Sequence, residues 1–183
     1  PGRYHLFAFV EDHGGDEQNI QNNIAMLPAL VTIRAGKLPD PAAFASRTAE
    51  LIYEMSNHER EGQGLSPLAW DEDLALLART YSDRMVADDF FSHTDPDGND
   101  QSDRARAAGY PAVKDIDGGQ RLGVSENIAY IGTGNVAGYG YVDPTDPGSV
   151  ATALMDGWMK SPGHRSNILD HLADRTGTAL AWD

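Results

Sequence analysis

The apolar residues of this 183-residue chain change period along its length, and that change constrains the fold more than any other feature. Phe44, Thr48, Leu51, Ile52 and Met55 fall on one helical stripe, with Pro41 near the first turn and Gly62 and Gly64 as the stop. Leu74, Leu77, Ala78, Tyr81 and Met85 recur at the same spacing to about Ala87, behind a capping Asp71. Val150, Leu154 and Trp158 form a third such face, with Ser149 as its expected cap and Ser161-Pro162-Gly163 as its end. Two segments alternate instead. Val124 to Ile131 and Thr176 to Trp182 read as strands, the second with Thr178, Leu180 and Trp182 on one face. Helices and strands mixed in this way predict an α+β domain.

Between these elements the chain is punctuated. Asp95-Pro96-Asp97-Gly98-Asn99-Asp100 is a turn by composition. Its density of oxygen ligands also invites a calcium reading. An EF-hand loop beginning at Asp95 would need glycine where Asp100 stands and glutamate where Arg106 stands, so that pattern is not met. A short helix is expected from Asp103 to Ala108, ended by Gly109. Ala112 to Leu122 reads as loop, and Gly132 to Gly148 as a long surface loop. The latter lacks the Lys-Ser/Thr ending of a phosphate loop.

Chemistry concentrates in three places. Phe90-Phe91-Ser92-His93 and Trp158-Met159-Lys160-Ser161-Pro162-Gly163-His164-Arg165 each deliver a histidine just past a helical pattern. Ser125-Glu126-Asn127 places a carboxylate on the intervening strand, facing the same side as Ile128 or near the strand's edge. Two imidazoles and one carboxylate can hold a metal with an open position, run acid–base chemistry, or hydrogen-bond one another as a structural knot. Residue types alone leave all three open. As ligands, His93, Glu126 and His164 would suit zinc, but also other divalent ions.

Other candidates fail on pattern. His58-Glu59 begins a zincin-like motif, but Gly62 stands where the second histidine belongs. Ser125 lacks the final glycine of a nucleophile elbow. No cysteine is present, which removes disulfides, thiolate zinc sites and a cysteine nucleophile. A net charge of −14 would repel nucleic acid and anionic membrane surfaces. The acid is mostly aspartate, and the only lysines are Lys37, Lys114 and Lys160. That bias suits a protein working in high salt, and a GC-rich genome would favour arginine equally. No apolar run is long enough to span a bilayer. A chain opening at Pro1, with no initiator methionine and no leader, is expected to be a processed product.

Five segments, taken in order, resemble one family. They are Asn57-His58-Glu59-Arg60, Gly64-Leu65-Ser66-Pro67-Leu68-Ala69-Trp70-Asp71, and the three segments carrying His93, Glu126 and His164. The family is the CAP superfamily of cysteine-rich secretory, antigen 5 and pathogenesis-related proteins, in its cysteine-free prokaryotic branch. The resemblance runs from about Phe44 to Asp183. It implies a three-layer α-β-α sandwich with a small central antiparallel sheet, and a secreted or cell-envelope location.

It also implies a cleft lined by two histidines and two acids. His93, Glu126 and His164 match three of these, and Ser161 stands near where the second acid would fall. An incomplete acid pair disfavours a mechanism needing two carboxylates, such as glycoside hydrolysis. The resemblance therefore implies first a binding module for a divalent metal such as zinc, or for a small apolar or lipid-like ligand. A metal-assisted hydrolase of peptides, esters or glycans is the alternative. Asn57, Arg60, Asn127, Arg165 and Asn167 are expected to anchor loops through hydrogen bonds, and Trp70 and Trp158 to be core or cleft wall.

The family pattern further implies one more strand after Trp182. Pro1 to Val10 has the look of it: Tyr4, Leu6 and Ala8 alternate with His5, Phe7 and Phe9. Trp182-Asp183 followed by Pro1-Gly2 would make a hairpin turn. A circular permutation is one expectation, with residues 1–10 as the closing strand, 11–40 as a linker or extension, and 41–183 as the remainder of the domain; an unrelated N-terminal strand and a truncated C-terminus is the alternative.

Overall fold

The structure, a computed structural model, describes residues 4–10, 40–116 and 119–182. The expected linker, from Glu11 as far as Pro39, lies outside them. Strand β1 (Tyr4–Val10) is followed by helix α1 (Pro41–Gly62), the two-residue strand β2 (Ala69–Trp70), α2 (Glu72–Ala87) and α3 (Gln101–Ala107). Then come β3 (Val113–Ile116), β4 (Gly119–Leu122), β5 (Ser125–Ile131), β6 (Gly134–Val136) and β7 (Gly140–Val142). Helices α4 (Pro147–Lys160) and α5 (Pro162–Ile168) and strand β8 (Arg175–Trp182) complete the order.

Four strands form the central sheet in the order β2-β8-β1-β5. Strand β1 runs antiparallel to both neighbours, pairing Tyr4 with Trp182 on one side and with Ile131 on the other. Residues 4–10 thus pair with residues 176–182 in the backbone. β2 adds to β8 in parallel, an edge the alternation in the sequence did not reveal.

Side-chain alternation on β8 sorts the helices onto two faces. Leu180 packs with Phe44, Ile52, Leu154 and Trp158 in the core shared by α1 and α4. Ala179 packs with Leu74, Ala78, Tyr81 and Met85 of α2 on the other face. The result is the expected three-layer α-β-α sandwich. Each fully buried Ile or Leu, such as Ile52 or Leu74, contributes roughly 1.5–3 kcal/mol by leaving water.

Helix starts follow local chemistry. Asp71 caps α2 by accepting from the Asp73 and Leu74 amides, as its position predicts. Asp40 caps α1, with Pro41 in the first turn. α4 starts earlier than expected, because Asp146 accepts from Gly148 N–H and Pro147 fits the first helical position. Ser149 instead accepts from the amide of Asp143 and ties down the preceding loop. α3 begins two residues before the expected Asp103, where Asp100 and Asp103 form a reciprocal capping box.

Two expected loops are hairpins. β3 pairs with β4, and β6 with β7, each antiparallel. The second tucks Val136 and Val142 into the core beside α4, which gives a Gly-rich segment enough apolar burial to hold a register.

Arg60 organises the far end of α1. It is 1% exposed, and its guanidinium donates to the carbonyls of Ser66, Ile168, Asp170 and Ala173 at 2.8–3.1 Å. Asn57 donates to and accepts from Leu68 beside it. These two act as the loop anchors the sequence suggested.

Candidate functional site

His93 lies in the loop between α2 and α3, and that loop is fixed at several points. Its backbone leaves α2 through a bond from Phe90 N–H to Met85 O. Tyr81 donates its hydroxyl to Ser92 O at 2.6 Å, one residue before the histidine. Beyond it, Asp95 accepts from the amides of Asp97 and Asn99 and pairs with Arg84 at 2.8 Å. Burial works against a charge on Asp95, but those bonds and the Arg84 guanidinium outweigh it and hold the carboxyl below its ordinary range. The oxygens of this turn are thereby committed to the protein, which accounts for the acidic run without a calcium ion.

Glu126 rises from β5 on the face shared with Ile128, as expected. Its carboxylate is fully buried and has two partners: His93 Nδ1 at 2.8 Å from Oε1, and Arg104 at 2.7 Å from Oε2. Arg104 comes from α3. Its guanidinium also donates to His93 O and Asn99 O, each at 2.9 Å, and lies 3.4 Å above the centre of the Tyr81 ring. Nothing in the local sequence marks Arg104, because its partners are drawn from three separate segments.

His164 arrives from the opposite layer. It does not simply follow a helix end: Ser161 breaks the helical run, and His164 sits in the short helix α5. Its carbonyl accepts from Asn127 Nδ2 at 3.0 Å, and Asn127 in turn accepts from Asn167. The ring is 8% exposed, lies beside Trp158, and has no hydrogen-bond partner at either nitrogen. Burial lowers its pKa to about 4, and the nearby His93 adds to that shift. The two imidazoles are thus close enough to couple electrostatically.

Ser161, where a second acid was sought, is buried at the junction of α4 and α5, and its side chain caps neither. Trp158 is core, 1% exposed, and Trp70 packs edge-on against Tyr53. Arg165 is exposed and makes no anchoring bond among the described residues, unlike the other four polar candidates. Two cavities lie elsewhere. One of about 770 Å³ runs between α1 and α2 past Tyr53, Trp70 and Arg79. Another of about 490 Å³ lies between α2 and α3, with Tyr81 and Arg104 on its wall. Neither is lined by His93, Glu126 or His164.

This sandwich, with two histidines from opposite layers meeting near one strand, defines a class. A family model described as the cysteine-rich secretory protein family, CAP, matches residues 53–182, and the chain belongs to that family. It is a cysteine-free member. It is 27% identical over 150 residues to the uncharacterized protein YkwD of Bacillus subtilis (strain 168), covering 82% of this chain and 48% of that protein. It is 29% identical over 119 residues to the uncharacterized membrane protein YlbC of the same organism, covering 65% and 27%. The chain therefore spans about half the length of the first and about a quarter of the second. Among solved structures, it is similar to an extracellular protein containing a SCP domain from Bacillus anthracis str. Ames. That match has a TM-score of 0.52 and 23% identity, over 80% of this chain and 44% of that one.

Proposed function

We propose that this chain is an extracellular or cell-envelope binding module, whose imidazole pair holds a divalent metal such as zinc or the polar end of a small apolar or lipid-like ligand. One observation carries this reading: both ring nitrogens of His164 are buried and lack a partner. A buried polar group left unpaired costs about 1–3 kcal/mol, and in a native fold it calls for an explanation such as an absent ion or ligand. The donor chemistry fits, since neutral imidazole is the commonest ligand for such ions. A histidine held neutral well below its ordinary pKa is ready to coordinate.

The residues that would hold the ion are His93 and His164. Glu126, the expected third ligand, is engaged by Arg104 and His93, and among the described residues no three His, Asp or Glu side chains already converge as a ligand set. A bound ion would supply Lewis acidity or a polarised water. An extracellular setting is supported by the SCP-domain protein of Bacillus anthracis, which is described as extracellular. The same reading includes a permuted chain order, supported by the pairing of β1 with β8.

The hydrolase alternative draws support from the 2.8 Å contact between Glu126 and His93, a carboxylate orienting an imidazole as in acid–base sites. The test is metal content of protein purified without chelator, zinc titration by calorimetry, and displacement of a fluorescent fatty acid, each for wild type and His164→Ala. Binding of zinc or fatty acid that is lost in the variant is expected. A protein that binds neither, or binds equally well without His164, would overturn the proposal. Turnover of peptide, ester or glycan substrates abolished by the same substitution would favour the alternative.

A further inference from the structure

We infer that Arg104 is the positioning residue of this site: acting through Glu126, it fixes His93 as the Nδ1–H tautomer, so that His93 presents its Nε2 lone pair. The inference rests on reading His93 as a binding residue, but its structural argument is independent of which ligand is bound.

The argument begins with the carboxylate. Glu126 is fully buried on β5, and a carboxylate there needs both oxygens satisfied. Arg104 takes Oε2 at 2.7 Å through a charge-assisted bond. That leaves Oε1, an acceptor, facing His93 Nδ1 at 2.8 Å. In the neutral imidazole an acceptor opposite one ring nitrogen puts the proton on that nitrogen, which leaves the lone pair on Nε2.

Arg104 also fixes where the ring stands. Its Nη1 donates both to His93 O and to Asn99 O, tying the middle of the loop that carries the imidazole to its far end. The same side chain therefore sets the backbone of His93 and, through one carboxylate, its ring. Tyr81 completes the support, with its ring face under the guanidinium and its hydroxyl on Ser92 O. A planar fork can span two carbonyls and a carboxylate at once, while a lysine ammonium could not do so in this geometry.

The arginine carries a cost that stability alone does not explain. Its Nε is buried without a partner. A guanidinium that tolerates an unpaired N–H while contacting three acceptors is placed for the geometry of those acceptors.

The decisive measurement is the long-range nitrogen–proton NMR spectrum of metal-free protein, at a pH where imidazoles are neutral. Wild-type His93 is expected as a single Nδ1–H tautomer, and the Arg104→Gln variant as a mixture containing Nε2–H, with Arg104→Lys between them. A wild-type His93 protonated on Nε2 overturns the inference whether or not any variant folds. So does an Arg104→Gln protein that folds and keeps the single Nδ1–H form. Zinc affinity is the second readout, expected to fall about 10–100-fold in Arg104→Gln and less in Arg104→Lys. A tautomer that shifts as stated in a protein with no zinc affinity would sink the metal reading while leaving the role of Arg104 intact.

Discussion

Asn127 donates to the backbone carbonyl of His164 at 3.0 Å, across the gap between strand β5 and helix α5. Its neighbour Glu126 points to the other face of the same strand and holds His93. Two consecutive residues thus set the two histidines, each from its own side of the sheet.

Replacing Asn127 by alanine leaves the His164 carbonyl without its donor and Asn167 without its acceptor, all in a position that is fully buried. The expected loss is about 2–3 kcal/mol of unfolding free energy, read by urea denaturation. Asn167→Ala should cost less, since that side chain is only partly buried. Equal stability of Asn127→Ala and wild type would mean that α5 is held by other contacts.

Stability should fall on acidification because of His164. In the unfolded chain this imidazole takes up a proton near pH 6.5, whereas burial delays protonation in the folded state to about pH 4. Between these values the unfolded state binds more protons, so stability rises with pH. About 3 kcal/mol is lost from the neutral side of the window to its acid end. His164→Gln lacks this term, and its denaturation free energy should change less over that range. Parallel profiles for the two proteins would contradict the assignment.

Gly177 on β8 should be among the least replaceable residues. A Cβ there would overlap the backbone of Leu74 and Ala75 at the start of α2, which cannot swing aside as a side chain would. Gly177→Ala is expected to cost more than about 3 kcal/mol or to prevent folding. Gly138→Ala offers the contrast, because its surroundings are open and only its positive φ of 76° is penalised. There the cost should be about 1–2 kcal/mol. A thermal scan ranking the two in the opposite order would refute the packing argument.

A transposed chain tests the proposed permutation. Starting at Asp40, running to Asp183 and continuing directly into Pro1 to Val10, it should fold with the near-ultraviolet dichroism of the original. Tyr4 pairs with Trp182, so the join needs to span only the four residues between them. A transposed protein that stays unfolded would count against the permuted order.

Much of the frame was legible because its signals are local. The apolar stripes of α1 and α2 and the Asp71 cap each depend on residues within a turn or two. Glu126 could be assigned to the Ile128 face because strand alternation has a period of two. The hairpins at Val113–Leu122 and Gly134–Val142 were not legible. Their strands span three or four residues each, too few for alternation to show, and glycines dominate the turns. The start of α4 was misread because Ser149 and Asp146 are both good caps, and Pro147 decides between them. Arg104 escaped notice for a different reason. Its partners, Glu126, His93, Asn99 and Tyr81, converge only once three elements are packed.

Strand β1 carries a consequence for the order of folding. Among the described residues it is the strand that joins β8 to β5, so the sheet closes only when residues 4–10 meet residues 125–131 and 176–182. Such pairings are the slowest contacts a chain can make, since loop closure must precede any gain from burial. β1 must therefore find partners more than a hundred residues further along the chain. The helical layers can collapse meanwhile, but the sheet between them is complete only once β1 has docked.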